Sequence, residues 1–390
     1  MSPFIEEAQE LFEYTRRLRR DFHRFPEIGF NEVRTSGIVA DELRSLGLEV
    51  ITGIARTGVM ASLEGARPGP VILLRFDMDA LPINEETGAE YASQNPGVMH
   101  ACGHDAHTAI GLSVARILHA HRQELSGAVK LVFQPAEEGL GGAEGMIAWG
   151  ILENPRPQTA LGIHLWNNQP AGWLGIANGP TMAAGEIFKV RIIGKGGHGA
   201  LPHLTSDPVL ASAQVITALQ SIVSRNVNPL ETAVVSVTMA HGGEAFNVIP
   251  PEVELQGTIR TFSPEVRKTV LNRFHQVVSQ AAEMMGCKAE IQVNSLTPAV
   301  INDSQVAKCV QEVARRILPD HKLDTDFHTM GSEDMAFMMQ IVPGCYIFVG
   351  SANPEKGLNY PHHHPKFDVD EQVLPSAVAL MASAAVEFLS

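Results

Sequence analysis

Within nine residues, Met99-His100-Ala101-Cys102-Gly103-His104-Asp105-Ala106-His107, the chain carries three histidines, a cysteine and an aspartate. Imidazole and thiolate are ligands that suit zinc and its first-row neighbours. Any one of these histidines could be a satisfied interior or capping residue, so the argument rests on the cluster. A second group is Gln134-Pro135-Ala136-Glu137-Glu138-Gly139. Two adjacent glutamates cannot easily face one point. A natural division is ligation by one and proton transfer by the other, against the plainer alternative of a solvated acidic loop. Gly139, Gly141 and Gly142 let backbone approach closely there. Asp77 and Asp79 could ligate, or could orient a ligating imidazole. A metal, or a pair about 3.5–4 Å apart, lowers the pKa of bound water and polarises a carbonyl oxygen. A nearby carboxylate that takes the water's proton and passes it to a leaving amine completes amide hydrolysis.

These residues fall at the ends of expected elements. Val71-Ile72-Leu73-Leu74-Arg75-Phe76 is a nearly continuous apolar run, as for a strand covered on both faces, and it delivers Asp77 and Asp79. Gly127 opens a strand over 129–133 that delivers Glu137 and Glu138. A strand over 160–163 ends at His164. Another covers 345–349, with His362-His363-His364 in the loop beyond. Further strands are expected over 48–54 and 58–64. Helices are expected over 6–24, closed by Pro26; from an N-cap at Asn31 to near Gly47; from His104 to about His121; and over 375–389. The alternation predicts an α/β domain with a mostly parallel sheet and helices on both faces. Four segments send metal-type side chains to its carboxyl edge, where open α/β sheets bind ligands.

The middle of the chain reads differently. Strands over 186–193, 234–240, 254–261 and 288–294 enclose helices starting at Asp207-Pro208 and Ser263-Pro264, the second ending at Gly286. The order β-α-β-β-α-β is the split βαβ unit. Residues 184–296 are therefore read as a compact α+β insertion, with Gly179-Pro180 and Pro298 as punctuation, in a domain made of 1–183 and 297–390.

Composition narrows the function classes. Of 390 residues, 43 are acidic and 29 basic, for a net charge of -14, which argues against a nucleic-acid or anionic-membrane partner. Hydrophobic residues make up 45%, ample for a core in two domains. Cys102, Cys287, Cys309 and Cys345 show no disulfide-like spacing; Cys309 and Cys345 read as small core residues and Cys287 as inert. No 18-residue apolar run is present, and Met1–Glu10 lacks the pattern of a secretory signal. A reducing cytoplasm is the expected location, where a cysteine among histidines signals metal binding or catalysis.

Taken in order, the motifs resemble those of the dinuclear-metal aminoacylase, hippurate hydrolase and carboxypeptidase family, in the branch with indole-acetyl-amino-acid hydrolases and N-acetyl-diaminopimelate deacetylases. They are Phe22-His23-Arg24-Phe25-Pro26-Glu27, Arg75 through Pro82, His100 through His107, Gln134 through Gly139, Gly162-Ile163-His164, Lys195 through Ala200, Gly331-Ser332-Glu333-Asp334 and His363-His364-Pro365-Lys366-Phe367. The resemblance implies a zinc-peptidase-like catalytic domain and a ferredoxin-like lid or dimerisation domain. It implies two divalent ions (Zn, Mn, Co or Ni) held by Cys102, His104, Glu138, His164 and His363, with Cys102 able to bridge. It also implies Glu137 as general base and acid, Asp79 as orienter of a ligand, and His198 as oxyanion or substrate imidazole, often reaching into a partner's site. Asn247 and Arg260 become substrate-facing residues, and the protein a homodimer or homotetramer. Where many relatives have His-x-Asp, this chain has Asp77-Met78-Asp79. His100 and His107 are left with supporting or structural roles. The implied substrate is an N-acyl amino acid; the rivals are an exopeptidase with the same site, a metal store without turnover and a zinc-stabilised module. Ligands spread over some 260 residues of this chain fit the last poorly. Loops near Asn178–Ala184 and Asn353–Tyr360 are the expected sites of acyl-group preference.

Overall fold

The computed structural model describes residues 4–389; the first three residues of the acidic N-terminal stretch and Ser390 lie outside them. The chain divides into two compact units, Met1–Thr181 with Ile301–His328 and Glu333–Ser390, and Met182–Val300 with Thr329–Ser332.

The first unit is built on an eight-stranded sheet in the order Glu49–Ile54, Gly58–Glu64, Ser126–Gln134, Arg67–Asp77, Thr159–Pro170, Gly344–Ala352, Trp173–Gly175, Lys322–Asp324. Its central pairings are parallel. The first two pairings and that of Trp173–Gly175 with Gly344–Ala352 are antiparallel. Alternation of side chains across the pleat assigns the faces. Ile72, Leu74 and Phe76 join one apolar layer with helices Phe12–Arg24, His104–Ala120, Ser304–Ile317 and Leu374–Phe388. Leu73 and Arg75 point to the other face, where the short helices Gly142–Trp149 and Met335–Met339 pack on each other.

Register decides what reaches the carboxyl edge. Asp77 lies opposite Gln134, and Arg75 opposite Gly162, which brings His164 level with Asp77. The strand expected to end at His164 in fact runs Thr159–Pro170. Its pairing with Gly344–Ala352 continues from Phe348↔His164 to Ala352↔Pro170, so the ladder carries the chain past the edge.

Three other expectations are corrected. The first helix is two, Ile5–Glu10 and Phe12–Arg24, parted at Leu11 with φ -82° and ψ -1°. The second starts at Val33 after Glu32, without a side-chain cap, and Asn31 bonds instead to Gly29 O at 3.4 Å. Glu32 cannot cap because its carboxylate is turned inward, accepting from Thr57 Oγ1 and from the Ala136 N–H. Cys309 is only half-buried, whereas Cys102, Cys287 and Cys345 are buried; all four are free thiols.

The second unit has a four-stranded antiparallel sheet ordered Ala233–His241, Glu252–Thr261, Ala184–Ile193, Lys288–Thr297. Helices Pro208–Ser221 and Pro264–Met284 share its core with Phe188, Val190, Ile192 and Phe274. Both start at the expected caps. Asp207 accepts from the Val209 and Leu210 N–H groups at 2.8 and 3.3 Å, and Ser263 from that of Val266 at 3.3 Å, each followed by proline. Thr329–Ser332 joins this unit through a bridge to Met182 and the bond from Ala183 N to Gly331 O at 2.9 Å.

Gly111 lets the His104–Ala120 helix lie close on the sheet, since a Cβ there would stand 2.6 Å from the Phe76 ring and 2.8 Å from Phe133. Alanine at an ordinary helix position stabilises by about 0.5–1 kcal/mol relative to glycine. Here overpacking, typically about 1–3 kcal/mol, wins. Gly111→Ala is expected to lower stability by about 1–2 kcal/mol, read as a lower urea midpoint at unchanged slope.

Candidate active site

At the edge of the first unit the chain alternates between fixed and open groups. Gly103, at φ 89°, starts the His104–Ala120 helix and sets Cys102 and His104 at its mouth. Two overlapping groups of ligand atoms share the Cys102 thiol: one with His104 and His164, one with Glu138 and His363, each within 4.8 Å of one another. A third joins His104, Glu137 and Glu138. The five residues expected as ligands thus meet, drawn from four separated stretches of sequence.

The buried imidazoles of His104 and His164 are each anchored by one nitrogen and present the other. His104 Nδ1 lies 2.9 Å from Asp79 O and 3.3 Å from Asp79 Oδ1, which leaves Nε2 buried without a hydrogen bond. His164 Nδ1 donates to Leu165 O at 2.6 Å, and its Nε2 stands 3.5 Å from Cys102 Sγ. His363 Nε2 is 3.3 Å from Glu138 Oε1. This is how supporting bonds fix the tautomer and ring orientation of metal-ligating histidines. Asp79 also accepts from the Glu138 N–H at 3.0 Å, so one carboxylate holds two of these residues.

His107 does not belong with the open groups. Its Nε2 accepts from the Leu165 N–H at 2.8 Å, so the proton sits on Nδ1 and is donated to Asp77 Oδ1 at 2.6 Å. Asp77 is equally engaged, its Oδ2 taking Arg75 Nη1 at 2.7 Å. His362 donates from Nε2 to Leu165 O at 3.0 Å. His100 is buried with neither nitrogen bonded, and burial pulls its pKa down to about 4.

The electrostatics favour a bound cation. Burial and the neighbouring Glu138 charge raise the Cys102 thiol, while hydrogen bonds to Cys102 and Glu138 push His363 up to about 10. Thiolate, carboxylate and the open Nε2 of His104 fit divalent first-row ions.

Glu137 follows Ala136, whose φ of 54° is left-handed for a non-glycine residue; Glu32 Oε1 accepts the Ala136 N–H at 2.9 Å and holds the turn. Its carboxyl is raised well above the usual range, first by lost hydration, then by Glu333, Glu138 and Asp334. Glu333 and Asp334 are held by Arg75, whose Nη2 donates to Glu333 Oε1 at 2.8 Å and Asp334 Oδ1 at 3.1 Å. Gln134 Nε2 donates to Asp334 Oδ1 at 2.7 Å, and Tyr346 donates its hydroxyl to Glu333. Glu32 and Tyr346 carry no functional signal in the sequence, and Arg75, Glu333 and Asp334 stand there only inside motifs.

His198, Asn247 and Arg260 lie in the second unit. His198 is exposed on the two-residue strand Gly197–His198, paired with Val248, and its Nδ1 accepts from the Ala200 N–H at 3.0 Å. Asn247 is joined to it through Gly199 N to Asn247 O at 2.8 Å. Arg260 stands apart on Glu252–Thr261, opposite Gly185, its Nη1 donating to Ile259 O at 3.1 Å.

An α/β sheet with thiolate, imidazole and carboxylate groups converging at its carboxyl edge, beside a carboxyl of raised pKa, defines a metal-binding hydrolase of amide bonds. The chain belongs to peptidase family M20/M25/M40, whose model matches residues 73–387. It is 38% identical over 386 residues to thermostable carboxypeptidase 1 of Saccharolobus solfataricus, covering 98% of this chain and 97% of that one. To IAA-amino acid hydrolase ILR1-like 4 of Arabidopsis thaliana it is 39% identical over 389 residues, covering 99% and 88%. The crystal structure of Bacillus subtilis YXEP protein, a dinuclear metal binding peptidase of the M20 family, superposes with a TM-score of 0.85 at 34% identity, covering 98% and 99%.

Loss of an outer partner of metal ligands typically weakens metal binding about 10–100-fold. Asp79→Ala keeps the backbone oxygen that holds His104, so about tenfold weaker binding is expected, measured by competition with a chromogenic chelator. Unchanged affinity would remove Asp79 as an orienting group.

Proposed function

We propose that the enzyme removes the acyl group from N-acyl amino acids, using two divalent cations held by Cys102, His104, Glu138, His164 and His363. The observation that carries this is the pair of ligand groups sharing the Cys102 thiol, with Glu137 beside them. Cations held there by these five residues would supply a water of lowered pKa and a polarised substrate carbonyl. Glu137 takes the proton from the attacking water and returns it to the departing amine. A carboxyl raised well above the usual carboxylate range by burial and by its acidic neighbours suits both halves of that exchange. His198 stabilises the oxyanion, Asn247 orients substrate, and Arg260 pairs with its carboxylate, so the 184–296 insertion acts as lid and as the surface of a homodimer or homotetramer. Zinc, manganese, cobalt and nickel all accept such nitrogen, oxygen and sulfur ligands. A free thiol among the ligands fits a reducing compartment, which we take to be the cytoplasm.

A second reading, an exopeptidase that cleaves between two amino acids, is supported by the similarity to a thermostable carboxypeptidase. The chemistry is shared, and only the acyl half of the substrate differs. A panel of N-acetyl, N-benzoyl and dipeptide substrates on the metal-reconstituted protein separates the two.

Glu137→Gln is expected to keep its metal, measured by elemental analysis, while turnover falls by about 10²–10⁴. Metal loss instead would make Glu137 the ligand. In the same assay, chelator should abolish wild-type hydrolysis and added divalent metal restore it.

Removing one oxyanion donor typically costs about 10²–10³ in kcat. His198→Ala is expected to lose that much with metal content intact; near-normal turnover would take His198 out of the reaction.

A further inference from the structure

Next to the ligand groups, within the first unit, lies an aromatic cluster that the reading above does not use. Trp166 follows His164 by two residues on the Thr159–Pro170 strand, so both project to one side, with ring centroids 5.6 Å apart. Trp166 meets Phe327 at 5.9 Å and Phe348 at 5.2 Å, both edge-on, and lies across His362 at 4.6 Å. Behind them Tyr346, Phe348 and Trp173 are wholly buried. Phe327 is braced by Trp173 at 4.9 Å and Phe348 at 5.0 Å. Trp166 and Phe327 alone among these large rings keep part of their surface open.

Two part-exposed rings, rigidly backed, form an apolar wall beside the ligand groups, Trp166 against His164 and Phe327 against Trp166. The wall contains no lysine or arginine, and the His362 Nε2–H is already given to Leu165 O. It cannot neutralise the carboxylate of the amino-acid half. What can be desolvated against it is the uncharged half of the substrate, and a flat ring gains most from offset or edge contacts with Trp and Phe.

We infer that Trp166 and Phe327 line the acyl-group subsite and select aromatic over small acyl groups. This rests on the N-acyl amino acid reading given above.

The test measures kcat/KM of wild type, Trp166→Leu and Phe327→Leu on N-benzoylglycine and N-acetylglycine, and on N-acetylleucine and N-acetylphenylalanine. Wild type is expected to prefer benzoyl over acetyl. Losing an aromatic partner for the substrate ring is expected to lower the benzoyl-to-acetyl ratio by about tenfold in either variant, whatever happens to the absolute rates. The ratio cancels any general loss of folded enzyme. An unchanged ratio in both variants overturns the assignment. So does a change confined to the amino-acid series, which would place the amino-acid side chain on the wall. Wild type that hydrolyses none of the four overturns the N-acyl reading itself, and the assignment with it.

Discussion

One buried cation, the guanidinium of Arg75, allows the sheet edge to carry its load of carboxylates. Asp77, Glu333 and Asp334 all bond to it, and Gln134 Oε1 accepts its Nε–H at 2.9 Å. Without a fixed positive charge, gathering these groups with Glu137 and Glu138 out of water would be opposed by both desolvation and repulsion. Arg75 satisfies Asp77 and holds Glu333 and Asp334 close enough to raise Glu137, while Glu138 and Cys102 gather with His363 in a group that could hold a cation. From Asp77 the order passes through His107 to the backbone of Leu165, which also receives the His164 Nδ1 proton. His164, an expected ligand, is thereby oriented by an arginine it never touches.

A second buried arginine does the same for the opposite side. Arg19 donates Nε to Asp105 at 2.8 Å and Nη2 to Asp368 at 2.6 Å. Asp105 follows His104 in its helix, and Asp368 lies five residues past His363. Arg19 therefore ties together two stretches that carry expected ligands. His23, between Asp105 and Glu85, is pushed up to about 9 because those carboxylates outweigh both its burial and the Arg19 charge.

Much of this was legible in the sequence, and the misses share a cause. Donor-type residues just past apolar runs mark the carboxyl edge of an α/β sheet, and the structure does bring Cys102, His104, Glu138, His164 and His363 together. Caps made of one residue and its next neighbours, Asp207-Pro208 and Ser263-Pro264, also read directly. What could not be read depended on partners far along the chain. Asn31 has the local chemistry of an N-cap, yet the helix start is governed by where Glu32 must point. Arg75 reads as an interruption in an apolar strand until Glu333 and Asp334 stand beside it. His107 looks like its neighbours in the histidine run, and only the Leu165 N–H and Asp77 separate it from the ligands. The Thr159–Pro170 strand outlasts its apolar run because a neighbouring strand continues to pair with it.

The left-handed turn at Ala136 limits how far the loop that carries Glu137 and Glu138 could be moved as a unit. Its shape is not encoded in Pro135 through Gly139 alone: the clamp is a carboxylate from Glu32, and that group is steadied in turn by Thr57. Grafted onto another sheet without those two distant residues, the same five amino acids would relax into an ordinary turn, and the two glutamates would lose the separate placement proposed for them.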